Sequence, residues 1–189
     1  MKINFLIFIF IVSLGNAIAQ KAVKFDTTMK LNKAGYRIRC SNKNADKNNL
    51  MIGPIGFENT ARDVEFEIKG RINKCELEDF NNDGFPDAVL YIIDANQKGS
   101  VIGLSSEKNE GLNPILFPDI TDDFKLKTGY NGYDEFSLFQ GTLLRRFPIY
   151  NGSDSTNNQR TGQYRTIQYR VVPGERGSMK FKILRSFDK

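Results

Sequence analysis

Alternation of apolar and polar residues with a period of two runs through most of this chain and predicts strands rather than helices. Tyr36, Ile38 and Cys40 alternate with Arg37 and Arg39; Val64, Phe66 and Ile68 alternate with Glu65, Glu67 and Lys69. Gly70, between the second run and Ile72, reads as a bulge. Residues 88–93 form a continuous apolar run, the pattern of a strand covered on both faces. Residues 101–104 return after the turn-rich segment 94–100 and complete a hairpin. Two more hairpins follow, 136–139 with 142–147 across Gln140-Gly141, and 164–172 with 179–187 across Pro173-Gly174. Phe147-Pro148 reads as a strand end at a sheet edge. Helix signals are confined to one short turn over 119–126, and the Ser-, Thr- and Asn-rich segment 151–162 reads as a mobile loop. The expected fold is all-β: a single-domain antiparallel β-sandwich or flattened barrel with little helix. No internal repeat supports a propeller.

One loop interrupts this pattern with chemistry. In DFNNDGFPD, Asp79, Asn81, Asp83 and Asp87 stand at positions 1, 3, 5 and 9, with Gly84 at position 6 and the Phe85 carbonyl following. That spacing suits a hard cation such as Ca2+. Position 12 is Leu90, so the bidentate glutamate of a full EF-hand is missing and Asp87 would have to close the shell. A metal-free turn built on Asx side chains explains the same residues. Both readings stand at this level.

The first residues point to export. Lys2, an apolar run over 3–14 and Ala17-Ile18-Ala19 have the form of a signal peptide, residues 1–19, cleaved before Gln20. Residues 20–34 then form an N-terminal segment and 35–189 the β domain. The apolar run is short for a bilayer span, no second one follows, and no cysteine stands at the cleavage point to carry a lipid. The expected location is periplasmic or secreted, without a membrane anchor. In an oxidising compartment Cys40 and Cys75 would most simply form one disulfide, adding roughly 3–4 kcal/mol in the chain-entropy model. Two buried free thiols are the alternative.

Composition narrows the chemistry further. The formal net charge is +5, spread along the chain without a Lys/Arg cluster interleaved with aromatics, so nucleic acid is not an expected partner. There is no histidine and no tryptophan. Ser-His-Asp and Cys-His catalysis are therefore excluded, and with them the commonest zinc ligand. Asp134 and Glu135, the most tempting carboxylate pair, are neighbours at the mouth of a strand and point to opposite faces, so they cannot flank one glycosidic bond. The chain is not expected to be an enzyme.

Three blocks, CELEDFNNDGFPDAVLYI, GYNGYDEFSLFQGTLLRRFPIY and TGQYRTIQYRVVPGE, occur in this order. Together they resemble the bacterial periplasmic inhibitors of invertebrate-type lysozyme, over about residues 35–187. The resemblance implies a small antiparallel β-fold and an exported protein that occludes the glycan-binding cleft of a lysozyme with a loop. It also implies homodimers, which exposed strand edges would permit. The inhibitory loop falls on Asp94, Asn96, Gln97, Lys98, Gly99 and Ser100, between the strands 88–93 and 101–104. Here the chain departs from the family, whose loop is longer, Ser/Gly-rich and carries a tyrosine. Asn96, Gln97 and Ser100 can still donate hydrogen bonds, and Lys98 can pair with a lysozyme carboxylate. Tyr130, Asn131 and Tyr133 form an aromatic loop that suits either an interface or packing on a core edge. Arg145 and Arg146 alternate across a strand, so one of them can pair with Asp134 or Glu135 and hold the 129–135 loop in shape. The competing function is a calcium-dependent extracellular module that binds glycan or protein without inhibiting lysozyme.

Overall fold

The computed structural model describes residues 23–57, 61–151 and 159–189. The signal-peptide reading of residues 1–19 and most of the predicted 151–162 loop lie outside these. Where the N-terminal segment is described it already belongs to the fold. β1 (Phe25–Leu31) pairs along its whole length with β2 (Ala34–Cys40), and β3 (Asn48–Ile55) and β4 (Val64–Ile68) complete a four-stranded antiparallel meander. The i,i+2 rows of β2 and β3 turn Tyr36, Ile38, Cys40, Leu50 and Ile52 to one side, all of them buried.

The chain then changes sheets at Gly70, whose φ of 119° no bulky residue adopts and whose Cβ would meet the Ile93 carbonyl oxygen at 2.6 Å. This glycine is the corner between two sheets, not the bulge its sequence suggested. The second sheet has eight strands: β5 (Arg71–Glu78), β6 (Asp87–Ile93), β7 (Gly99–Glu107), β8 (Gly111–Leu116), β9 (Glu135–Phe139), β10 (Thr142–Tyr150), β11 (Arg160–Pro173) and β12 (Met179–Asp188). Their spatial order is β5-β6-β7-β8-β12-β11-β10-β9. All neighbours are antiparallel except β8 and β12, which run parallel over two residue pairs. Glu76 on β5 accepts the N–H of Leu138 on β9, so the two edges of this sheet meet and the sheet is almost a barrel.

The alternative between sandwich and barrel resolves into both. The meander stacks on one end of the second sheet, enclosing Tyr36, Ile38, Leu50 and Ile52 with Ala88, Leu90 and Ile92. The curled sheet encloses its own core of Val89, Tyr91, Leu143, Phe147, Ile167, Tyr169 and Phe181. β6 therefore alternates between two cores, which is why residues 88–93 are apolar throughout. The all-β class with little helix is as expected. Between β8 and β9 the predicted turn of helix is two short pieces, a 3-10 turn over Ile120–Asp122 and α1 (Phe124–Lys127), capped by Asp119 and Asp123.

Two further expectations are corrected. Cys40 and Cys75 are both buried free thiols in the core between the sheets. They come from different, facing sheets, and the two thiols are not bonded to each other. Burial pushes the Cys75 thiol up to about 12, so it behaves as a small apolar side chain. Pro148 does not end its strand either. It lies inside β10, opposite Tyr164 of β11, just before a register shift. On the other side β9 pairs only as far as Arg146, so the missing N–H interrupts no β9–β10 bond.

Candidate functional site

The hairpin loop between β6 and β7 is shorter than the predicted 94–100 segment. Ile93 pairs with Gly99, and Ser100 pairs with Ile92 inside β7. The exposed tip is Ala95, Asn96, Gln97 and Lys98. Asp94 organises it from below: its Oδ1 accepts the N–H groups of Asn96 and Lys98, each at 2.8 Å. Its main-chain N–H donates to the Lys98 carbonyl, and its carbonyl accepts from Gln97. With its acceptor and both main-chain groups turned inward, Asp94 holds the tip and leaves Asn96, Gln97 and Lys98 to face outward.

A second loop braces the first. Tyr133 donates its N–H to the Gln97 carbonyl at 2.6 Å. Gly132 permits this approach, because a Cβ there would meet the same oxygen at 2.7 Å. Gly99 donates its N–H to Asp134 Oδ2 at 2.6 Å, while its carbonyl accepts from Arg145 Nη2. Asp134 and Arg145 themselves form a buried ion pair, Nε to Oδ1 at 2.7 Å, with side chains 0 % and 2 % exposed. Tyr130 completes the group by donating its hydroxyl proton to Asp134 Oδ2 and accepting from Arg145 Nη2. Burial pulls the Arg145 guanidinium down, but the charge and hydrogen bond of Asp134 more than offset it and hold it above its ordinary value. The rings of Tyr130, Phe136 and Phe147 surround the guanidinium.

The sequence-level candidates thus divide by role. Tyr130 is half-buried, its ring packed on Phe147 and its hydroxyl shared with Asp134 and Arg145. Asn131 is half-buried between the two tyrosines. Tyr133 is 47 % exposed and backed by the Arg160 guanidinium, 4.9 Å from its ring centre. Its φ of 62° is one that a bulky side chain rarely adopts, so the fold holds this ring outward at a conformational cost. Both arginines found partners: Arg145 takes Asp134 inside, and Arg146 takes Glu135 outside. Arg160 was missed because it lay in a segment read as a loop, whereas it opens β11. Beside the tip lies an open groove of about 650 Å3, bordered by Asn42, Arg71, Asn73, Gln97, Tyr133 and Glu135.

The acidic loop does not gather all five proposed ligands. Asp79 accepts from Asp83 N and Gly84 N, Asn81 Oδ1 accepts from Asp83 N, and Asp83 Oδ1 accepts from Phe85 N. Asp87 instead opens β6 with its side chain in the interior, where Oδ2 accepts from Phe80 N and Oδ1 from Ser106 N. Desolvation raises its carboxyl to about 6 even against those two donors. A cation in this loop would have Asp79, Asn81, Asp83 and the Phe85 carbonyl, without Asp87 to close the shell. No group of three or more His, Cys, Asp or Glu side chains that could hold a metal is found among the described residues. No protein-family model matches the chain, and none of the curated proteins does.

Proposed function

We propose that this chain is an exported protein inhibitor of lysozyme, of the invertebrate type, which blocks the glycan-binding cleft with the 95–98 tip. The motif blocks over residues 35–187 supply the family reading. The observation that carries it in this chain is the double brace beneath the tip: Asp94 from its own loop, and Gly99 and Gln97 tied to Asp134, Arg145 and Tyr133 from the other. An inhibitor that enters a cleft gains affinity when its loop is already held in the bound shape, because little ordering remains to be done on binding. Lys98 then presents a cation to a cleft whose catalytic groups are carboxylates. Tyr133 supplies an outward aromatic ring beside it, the residue type that dominates interface energies. The basic balance of the chain gives no long-range attraction to a cationic lysozyme, so recognition rests on this short-range fit.

The acidic loop enters this reading as a structural brace. Its Asx turns deliver Asp87 to the start of β6, the strand that carries the tip. The test is cell-wall lysis by invertebrate-, chicken- and goose-type lysozymes with and without the purified mature chain. Selective loss of invertebrate-type activity, weakened by Lys98→Ala and Tyr133→Ala in stably folded protein, is the expected result. Full lysis by all three enzymes would refute the reading.

A further inference from the structure

The outer face of the β11–β12 hairpin carries three cations that no ion pair among the described residues neutralises. Arg170 stands directly opposite Lys182, and Lys180 stands opposite Val172 at the next outward pair. All three are exposed, and none joins an ion pair among the described residues. Like charges directly opposite on adjacent strands repel, so this arrangement weakens the bare fold. Glu175, in the turn that joins the two strands, is exposed and forms no ion pair with them, and Asp188, the next carboxylate along the chain, pairs with Arg165.

The three cations border a concavity of about 730 Å3 whose floor includes Pro118 and Val172. Its origin lies in the parallel pairing of β8 with β12, which stops at Leu116 and Lys180. Beyond that point the chain turns inward, and Phe117 packs against Tyr169 and Phe181 inside the barrel. β12 runs on to Asp188 with no strand beside it on that side. An open strand edge presents main-chain N–H groups, and such edges form anion-binding concavities.

Spacing decides the kind of anion. Directly opposite residues stand about 5 Å apart at Cα, and outward residues along one strand about 7 Å apart. One tetrahedral oxyanion can therefore reach Arg170 and Lys182 together, the arginine fork taking two of its oxygens. Lys180 lies one step further, in place for a second charge or a hydroxyl on the same molecule. The apolar floor suits the C–H face of a sugar ring. We propose that this concavity is a binding site for an anionic glycan bearing phosphate or sulfate groups, either free or as the headgroup of a lipid. The site does not depend on the lysozyme reading.

The test titrates the full chain with a heparin-derived tetrasaccharide at about 50 and 200 mM salt, where binding through phosphate- or sulfate-like charges weakens as salt rises. A second arm measures binding to phosphatidylcholine vesicles with and without a phosphorylated glycolipid. Saturable binding in either arm supports the site, and the arm that binds identifies the free or the lipid-borne source. The double variant Arg170→Ala/Lys182→Ala is expected to weaken binding by about tenfold or more through loss of two charge-assisted contacts. It should melt no lower than the native chain, because it removes a like-charge pair. Lys69→Ala, an exposed cation in the bend between β4 and β5, should bind as the native chain does. Native-like binding by the double variant, or an equal loss in Lys69→Ala, would overturn the proposal. So would binding of an oligoglutamate peptide in place of both glycan probes.

Discussion

Glu76 Oε2 accepts the main-chain N–H of Leu138 at 3.1 Å, joining β5 and β9, the strands at opposite edges of the eight-stranded sheet. The same oxygen accepts the Tyr91 hydroxyl at 2.6 Å, and the other accepts from Lys74. A side chain thus stands where a closed barrel would have ladder bonds. The ring of Tyr91 stacks on Phe136 of β9 with centres 5.4 Å apart, so the seam is closed by one apolar and one polar contact.

Removing that carboxylate leaves two partly buried donors without an acceptor. Glu76→Ala is expected to cost about 2–4 kcal/mol, the desolvation of two stranded groups. Glu76→Gln keeps one acceptor oxygen and should cost less. Urea unfolding gives the magnitudes, and amide exchange at Leu138 shows whether the seam opens before the rest. Exchange at Leu138 unchanged in Glu76→Ala would show that closure does not rest on this bond.

Asp87 gives the fold a pH dependence of defined sign. Its carboxyl is raised from 3.8 to about 6 by burial, with Asp83 adding to the rise and the donors from Phe80, Ser105 and Ser106 opposing it. The folded state therefore holds a proton that the unfolded chain releases between those two values. The stabilisation is fully present below pH 3.8 and is lost as pH rises through about 6, a span worth about 3 kcal/mol. Asp119 and Asp188 act in the opposite sense. Backbone donation from Thr121 and pairing with Arg165 hold them below the usual range, so what they contribute falls away only in stronger acid. Urea midpoints measured from pH 4.5 to 7.5 should fall with pH in the native chain and fall less in Asp87→Asn. Parallel curves for the two would remove Asp87 as the source.

The acidic loop predicts a stability effect without a metal effect. Asp79 satisfies two main-chain N–H groups, so Asp79→Ala should cost roughly 1–2 kcal/mol. Calcium sites take six to eight oxygens, and here Asp87 is turned inward while Leu90 occupies the position of the bidentate glutamate. Millimolar calcium or excess chelator should leave the melting temperature of the native chain unchanged. A calcium-dependent rise that chelator reverses would restore the metal reading.

How much of this was legible in the sequence depends on the range of the interaction. Gln140 and Gly141 have φ of 50° and 70°, the primed-turn geometry that their dipeptide announces, and the hairpin around them lies where periodicity put it. The unbroken apolar run of β6 likewise declared two buried faces. The Glu76 contact spans 62 positions and depends on how far the sheet curls, which no local pattern encodes. Asp87 shows the other limit. Its spacing from Asp79 fits a ligand, but β6 begins at Asp87, and strand alternation then turns its side chain into the core. The cysteines show a related limit: strand patterns put both in the core, but not whether the two thiols meet across it.

Gly99 is the point at which scaffold and tip can be separated by experiment. A Cβ at this position would lie 2.5 Å from Asp134 Cβ and 2.5 Å from Phe136 Cε2, inside any van der Waals contact. Gly99→Ala must therefore push Asp134 off Arg145 or displace the start of β7. Overpacking of this kind typically costs about 1–3 kcal/mol, and loosening a buried ion pair adds to it. The N–H of Gly99 and its carbonyl are also the two groups by which the Asp134–Arg145 pair holds the hairpin. The variant should accordingly lose stability and speed amide exchange at Asn96 and Lys98 together. Lys98→Ala, by contrast, removes an exposed side chain and should leave both readouts at their native values. If Gly99→Ala lost stability while exchange at the tip stayed native, the brace from Asp134 would not be what holds the tip.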